Sequence, residues 1–286
     1  MGLIREKMVE DMKLRGFSKH TQQCYLQYAR LFVGHYGRSP RELGEEEVRK
    51  FLMHLVDKRH MKPTTIRLYV ASLKFLYAVT LERPEVVDRI PWPKVAKKLP
   101  DILSGTEVDR ILGSLRSLKH RAILMIAYGC GLRISEACSL QVTDVDSNRG
   151  FIHVHQGKGN KDRYVLLPQR LLFVLREYWK SARPPRPFLF PGRIPGSPIS
   201  RDAVERALKV AVQRLGLKKR VTPHSLRHAF ATHLLELGTN VRVVQELLGH
   251  GSARSTTRYT HVSRELLGRI KSPLDVLGTQ DGRVLR

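Results

Sequence analysis

Two histidines, an arginine and a tyrosine stand out between Thr222 and Val262. His224 and Arg227 lie three residues apart, His250 follows Leu-Leu-Gly, and Tyr259 comes nine residues later. Thr222-Pro223 reads as a helix start, because proline in the first turn gives up an N–H that has no helical partner there. On that helix His224 and Arg227 share a face, with His228 at i+4 and His233 further along. Imidazoles move protons near neutrality, a guanidinium neutralises oxyanions, and a phenol can act as a nucleophile. A zinc reading of His224 and His228 fails on the sequence. Ser225 stands where an HExxH helix has glutamate, and no nearby carboxylate completes a ligand set. Taken singly, each residue also has a structural reading, as a buried histidine or a core tyrosine.

Two further positions complete a chemical set. Arg133 follows Gly129-Cys-Gly131, in the first turn of an amphipathic helix over Leu132–Leu140. Glycines let backbone approach closely, and a helix N-terminus adds partial positive charge, so a phosphate-binding arginine fits there. The alternative is an ion pair with Glu136 at i+3. Lys158 lies in Gly157-Lys-Gly-Asn-Lys161, between alternating runs over 151–156 and 162–168 that read as a β-hairpin. A lysine at such a tip can reach into a site and give up a proton, or it is solvated decoration. Together, two arginines can neutralise the nonbridging oxygens of a phosphodiester. Two histidines and a lysine can move protons, and one phenol can attack.

Something must bring a phosphodiester to these residues, and the charge points the same way. The 286 residues carry 51 Lys+Arg against 26 Asp+Glu, a net +25. The excess is spread: 20 basic and 11 acidic residues precede Pro100, and 31 and 15 follow. A field of this kind is relieved by a polyanion, most often nucleic acid. At 42% hydrophobic the chain can bury a core. Three cysteines without CxxC spacing (Cys24, Cys130, Cys138) imply neither a disulfide framework nor a zinc site and suit a reducing compartment. No signal peptide, membrane span or myristoylation signal is legible, which gives a cytoplasmic expectation.

Helical spacing of apolar residues predicts helices over 4–15, 19–36, 45–58 and 64–80, with Ser18 as an N-cap and the aromatic stripes as core. This is a bundle of about four helices spanning 1–90. Lys19, Thr21, Lys62, Thr64 and Arg67 gather at the starts of its second and fourth helices, where phosphate contacts are favoured. Residues 91–100, with three prolines and the lysines Lys94, Lys97 and Lys98, form a linker. Ser104 and Glu107 make a capping box at the start of a second domain over 101–286. Helices follow near 121–128, 170–180 and 200–215. The fold class is mostly α, with a small β-hairpin in the C-terminal domain.

Arg133, Lys158 in Gly-Lys-Gly-Asn-Lys-Asp-Arg, His224-Ser-Leu-Arg227, Leu-Leu-Gly-His250 and Thr-Thr-Arg-Tyr259-Thr-His resemble the tyrosine recombinase (phage integrase) family. The likeness is strongest to its Xer-type and mobile-element-borne members and runs over nearly the whole chain. It implies a two-domain DNA clamp, with a helical core-binding domain and an α+β catalytic domain. It implies that Tyr259 forms a 3′-phosphotyrosine without metal or ATP, so no cofactor is expected. Arg133 and Arg227 would stabilise the transition state, Lys158 would act as general acid, His224 and His250 would assist, and Glu136 would support Arg133. Lys97, Lys98, Lys161 and Arg163 join the DNA-contacting candidates. The partners implied are double-stranded DNA with inverted half-sites, three further copies in a tetramer joined through the tail 264–286, and optionally a second recombinase or accessory protein. A non-catalytic DNA-binding accessory protein of the same fold, or a type IB topoisomerase-like relaxing enzyme, are the competing readings.

Overall fold

A computed structural model describes residues 2–96, 101–155, 162–249 and 270–277. By its contacts the chain divides into two compact units, Met1–Leu99 and Pro100–Arg286, each with its own hydrophobic core.

The first unit is all helical: α1 (Gly2–Leu14), α2 (Lys19–Tyr36), α3 (Glu45–Asp57), α4 (Pro63–Phe75) and a short α5 (Glu85–Asp88). Ser18 caps α2 by accepting the Thr21 N–H, at 3.2 Å. Gly37 ends α2 in the left-handed region. The helical pattern that continues past Phe75 is real but changes pitch, with Leu76–Thr80 forming a π-helical stretch. The aromatic stripes are core. Phe32, Phe51, Tyr69 and Tyr77 are buried against one another, and Tyr77 donates to the carbonyl of Pro40. The expected linker is no free tether at its start. Ile90 is buried, and the Trp92 ring lies under Arg67 and Lys74, 5.5 and 5.9 Å from its centroid.

The second unit contains α6 (Gly105–Ser114), α7 (Leu118–Gly129), α8 (Ile134–Ser139), a three-stranded sheet, α9 (Gln169–Ala182), α10 (Arg201–Arg214), α11 (Pro223–Glu236), α12 (Val241–Leu247) and α13 (Pro273–Val276). The capping box at Ser104 and Glu107 is formed. Every residue from Ala122 to Gly129 is buried, as a helix apolar on all sides requires. α7 is the central helix, packed by α9 and α11. The sheet is antiparallel in the order β1 (Val145–Asp146), β2 (Phe151–Val154) and β3 (Arg163–Leu166). The hairpin expected from alternation is thus β2–β3, in register Val154↔Arg163 and Phe151↔Leu166. β1, two residues long, carries no alternation to read.

The segment after residue 269 returns to its own unit. Leu274 is fully buried against Gly129, and the Ser272 hydroxyl donates to the Gly129 carbonyl at 2.8 Å. Asp275 accepts the N–H groups of Gln169 and Arg170, at 3.3 and 3.1 Å. It caps α9 from across the fold, where Pro168 at the N-cap position has no side chain able to do so.

Candidate active site

The site is organised on the turn that ends α7. Gly131 is left-handed (φ +65°), and a Cβ there would lie 2.4 Å from Phe230 Cε1. Only glycine therefore lets this turn press against α11. Two residues on, Arg133 is the N-cap of α8 in extended conformation, not a residue of its first turn. The reason is Glu136, which reaches back as in a capping box. Its Oε2 accepts the Arg133 N–H and its Oε1 accepts Arg133 Nη1, both at 2.8 Å.

Arg227 comes from α11 and is 3% exposed. Its Nη1 donates to the Gly131 carbonyl at 2.7 Å and its Nη2 to the Leu248 carbonyl, while Glu136 Oε2 lies 3.7 Å from Nη1. Burial, then the like charge of Arg133, pushes the Arg227 pKa down to about 10, against the opposing pull of Glu136. The group therefore stays charged at neutral pH.

A third arginine completes the cluster. Arg163, the first residue of β3, bonds Glu136 through Nη2 at 2.7 Å and Nη1 at 3.2 Å. Its Nε donates to the Leu247 carbonyl at 3.1 Å. Arg163 and Arg227 thus hold the last carbonyls of α12, the negative end of that helix, just before Gly249. Burial would raise the Glu136 pKa, but the hydrogen bond and charge of Arg163 and the bonds from Arg133 hold it below the ordinary carboxylate value. Among the described side chains, three guanidiniums surround one carboxylate. Two positive charges in a mostly buried cluster are left for anionic groups to balance, and a phosphodiester brings one of those negative charges together with acceptor oxygens.

The structure brings together Arg133, Glu136 and Arg227 of the expected set. His224 is exposed on the first turn of α11, its ring 4.3 Å from that of His228. Lys158, His250, Tyr259, Lys97, Lys98 and Lys161 lie outside the described residues. His233 is structural, paired with the Tyr128 hydroxyl at 2.9 Å. Lys19 and Thr21 stand in the first turn of α2, and Lys62 and Thr64 at the start of α4. Lys19, Lys62, Thr64 and Arg67 are exposed. Arg163 differs from its sequence reading as a DNA contact. It is 11% exposed and tied internally at all three nitrogens. Strand alternation could have flagged it, since Arg163 lies on the same side of β3 as the buried Val165.

Models of two families match the chain: the phage integrase family over residues 101–265, and its N-terminal SAM-like domain over residues 4–85. The protein y4qK of Sinorhizobium fredii is 47% identical over 275 residues, covering 96% of this chain and 89% of that protein. Tyrosine recombinase XerA of Pyrococcus horikoshii is 34% identical over 281 residues, covering 96% of both. Two solved forms of lambda integrase share the fold at 17% identity and a TM-score of 0.71, each matching 92% of this chain. One is a dimer bound to a core site (99% of that chain covered), the other a tetramer bound to a Holliday junction (80%). The two-unit, mostly helical architecture with its small sheet and the family matches lead to one conclusion: the chain belongs to the phage integrase family and is a tyrosine-type site-specific DNA recombinase.

Proposed function

We propose that this recombinase cuts and rejoins DNA through a 3′-phosphotyrosine on Tyr259 and exchanges strands through a Holliday junction, without metal or ATP. The observation that carries the reading is the buried cluster of Arg133, Arg163 and Arg227 around Glu136, two positive charges in excess. In this reading Arg133 and Arg227 bind the nonbridging oxygens of the scissile phosphate and offset the charge that grows in the pentacoordinate transition state. Glu136 orients both. The Tyr259 oxygen attacks phosphorus, the P–O5′ bond breaks, and Lys158 supplies the proton to the departing 5′-oxygen. His224 and His250 take the phenol proton and hydrogen-bond the phosphate. A 5′-hydroxyl of the partner strand then reverses the step. The phosphodiester's energy is kept in the covalent link, so no external energy source is required.

The first unit serves as a core-binding domain (1–90), joined by a linker (91–100) to the catalytic domain (101–286), and the two clasp DNA carrying inverted half-sites. Lys19, Thr21, Lys62, Thr64, Arg67, Lys97, Lys98 and Lys161 supply backbone contacts. Four copies assemble on two sites. The tail 264–286 joins the copies; within it, Ser272–Leu277 packs on its own unit.

A nicked suicide substrate tests the mechanism. The chain should form a covalent protein–DNA adduct, and Tyr259→Phe should abolish it while still binding the duplex. An adduct that survives Tyr259→Phe refutes the assignment. Exchange between two sites, as opposed to relaxation of one supercoiled circle, separates recombination from topoisomerase-like action.

A further inference from the structure

β2 and β3 carry a second constellation that the recombination chemistry does not use. Ile152 and Val154 point into the core, so strand alternation places His153 and His155 together on the opposite face. Two carboxylates meet them. Asp144, 5% exposed, faces His155 Nε2 through Oδ1 at 2.9 Å, and its Oδ2 is held by the Gln141 N–H at 2.7 Å. Asp162, the residue before β3, places Oδ2 3.3 Å from His153 Nε2 and 3.7 Å from His155 Nδ1. One ligand atom each from Asp144, His153 and His155 lie within 4.8 Å of one another.

We propose that Asp144, His153 and His155 form a binding site for a divalent transition metal of the zinc class, at the base of the β2–β3 hairpin, with Asp162 as a neighbouring carboxylate. Imidazole and carboxylate are the donors such ions take. Ligand atoms at about 2.0–2.2 Å from zinc stand roughly 3.3–3.6 Å apart, and those of Asp144, His153 and His155 lie within 4.8 Å of one another, so small side-chain adjustments bring these three onto one ion, with Asp162 beside them on the other ring nitrogen of His155. The second oxygen of Asp144 is already fixed by a backbone N–H, the outer support that orients a ligating carboxylate. Two carboxylates beside two imidazoles make a local negative pocket in a chain of net charge +25, a place where a dication is favoured over the surrounding surface. His155 and Asp162 are about half exposed, which leaves a path for the ion. The site ties the turn at Asp144 to the strands β2 and β3, so metal occupancy and the rigidity of that strand pair are linked.

The test is titration of the purified full chain with Zn2+ by calorimetry and with Co2+ by visible absorption. One ion per chain should bind at micromolar concentration or tighter, with Co2+ giving the d–d bands of a protein-bound ion. His153→Gln and His155→Gln, each partly or well exposed and checked for fold by circular dichroism, should each weaken binding at least about tenfold, as loss of even an outer supporting group does. Cys24→Ser should leave it unchanged, which separates this site from the His20–Cys24 pair on α2. Absent binding, binding that persists in the two histidine variants, or binding lost in Cys24→Ser would each overturn the proposal.

Discussion

Replacing Glu136 by glutamine keeps its shape and removes the one negative charge among the three arginines. Taking away one partner of a buried ion pair costs about 3–5 kcal/mol, since the remaining charge stays desolvated. Here the lower end applies. Arg227 keeps the carbonyls of Gly131 and Leu248, Arg163 keeps Leu247, and Arg133 is 28% exposed, so water shares its charge. A loss of about 3 kcal/mol at pH 7 is expected, which at a urea dependence of about 2–3 kcal/mol per M lowers the midpoint by roughly 1–1.5 M. Trp179 packs on the second unit's core, and Trp92→Phe makes it the sole tryptophan reporter. The pH dependence adds a second constraint. Glu136 has a folded-state pKa below its ordinary 4.5, so its contribution is complete above that value and is lost as pH falls through the depressed one. The gap between parent and variant should therefore close on acidification below about pH 4.5. A loss under about 1 kcal/mol at pH 7, typical of exposed pairs, or a gap that does not depend on pH, would refute the buried-cluster argument.

Arg163→Ala should lower the stability of the second unit by about 2–4 kcal/mol and leave the salt dependence of DNA binding unchanged. Lys62→Ala, by contrast, should reduce the slope of log K against log salt by about 0.9, as loss of one phosphate contact does; a reduced slope in Arg163→Ala would return it to the DNA-contacting group. Gly131→Ala should cost at least about 2 kcal/mol, from the left-handed φ together with the contact on Phe230. Adding Phe230→Leu should recover part of that loss in denaturation; strict additivity of the two substitutions would show that the ring is not the obstacle.

Much of this was legible because the determinants are local. Period-3.6 apolar spacing places α2, α3 and α4, and capping chemistry at Ser18 and Ser104 fixes where helices start. Alternation gives β2 and β3. Arg133 and Arg227 could be singled out by a glycine turn and a helix start, and the ion pair of Arg133 with Glu136, the alternative at i+3, is present. What escaped reading was pairing at long range. Nothing near Arg163 in sequence indicates that its partners are Glu136, 27 residues earlier, and Leu247, 84 residues later. The position of Arg133 as a cap, and not inside a helix, depends on which way the Glu136 carboxylate turns. The same holds for Asp144, whose meeting with His155 depends on a two-residue strand that leaves no periodic trace.

The three residues Gly129–Gly131 bear two loads at once. The carbonyl at one end takes the Ser272 hydroxyl and the carbonyl at the other takes the Arg227 guanidinium. A pull on the chain beyond Leu277 is therefore delivered, through Leu274 and Ser272, to a point two peptide units from the seat of a buried arginine. In mechanical terms the turn is a fulcrum, with the C-terminal strap as the long arm and Arg227 on the short one. Whatever grips the chain beyond Leu277 has leverage on the arginine cluster without approaching it.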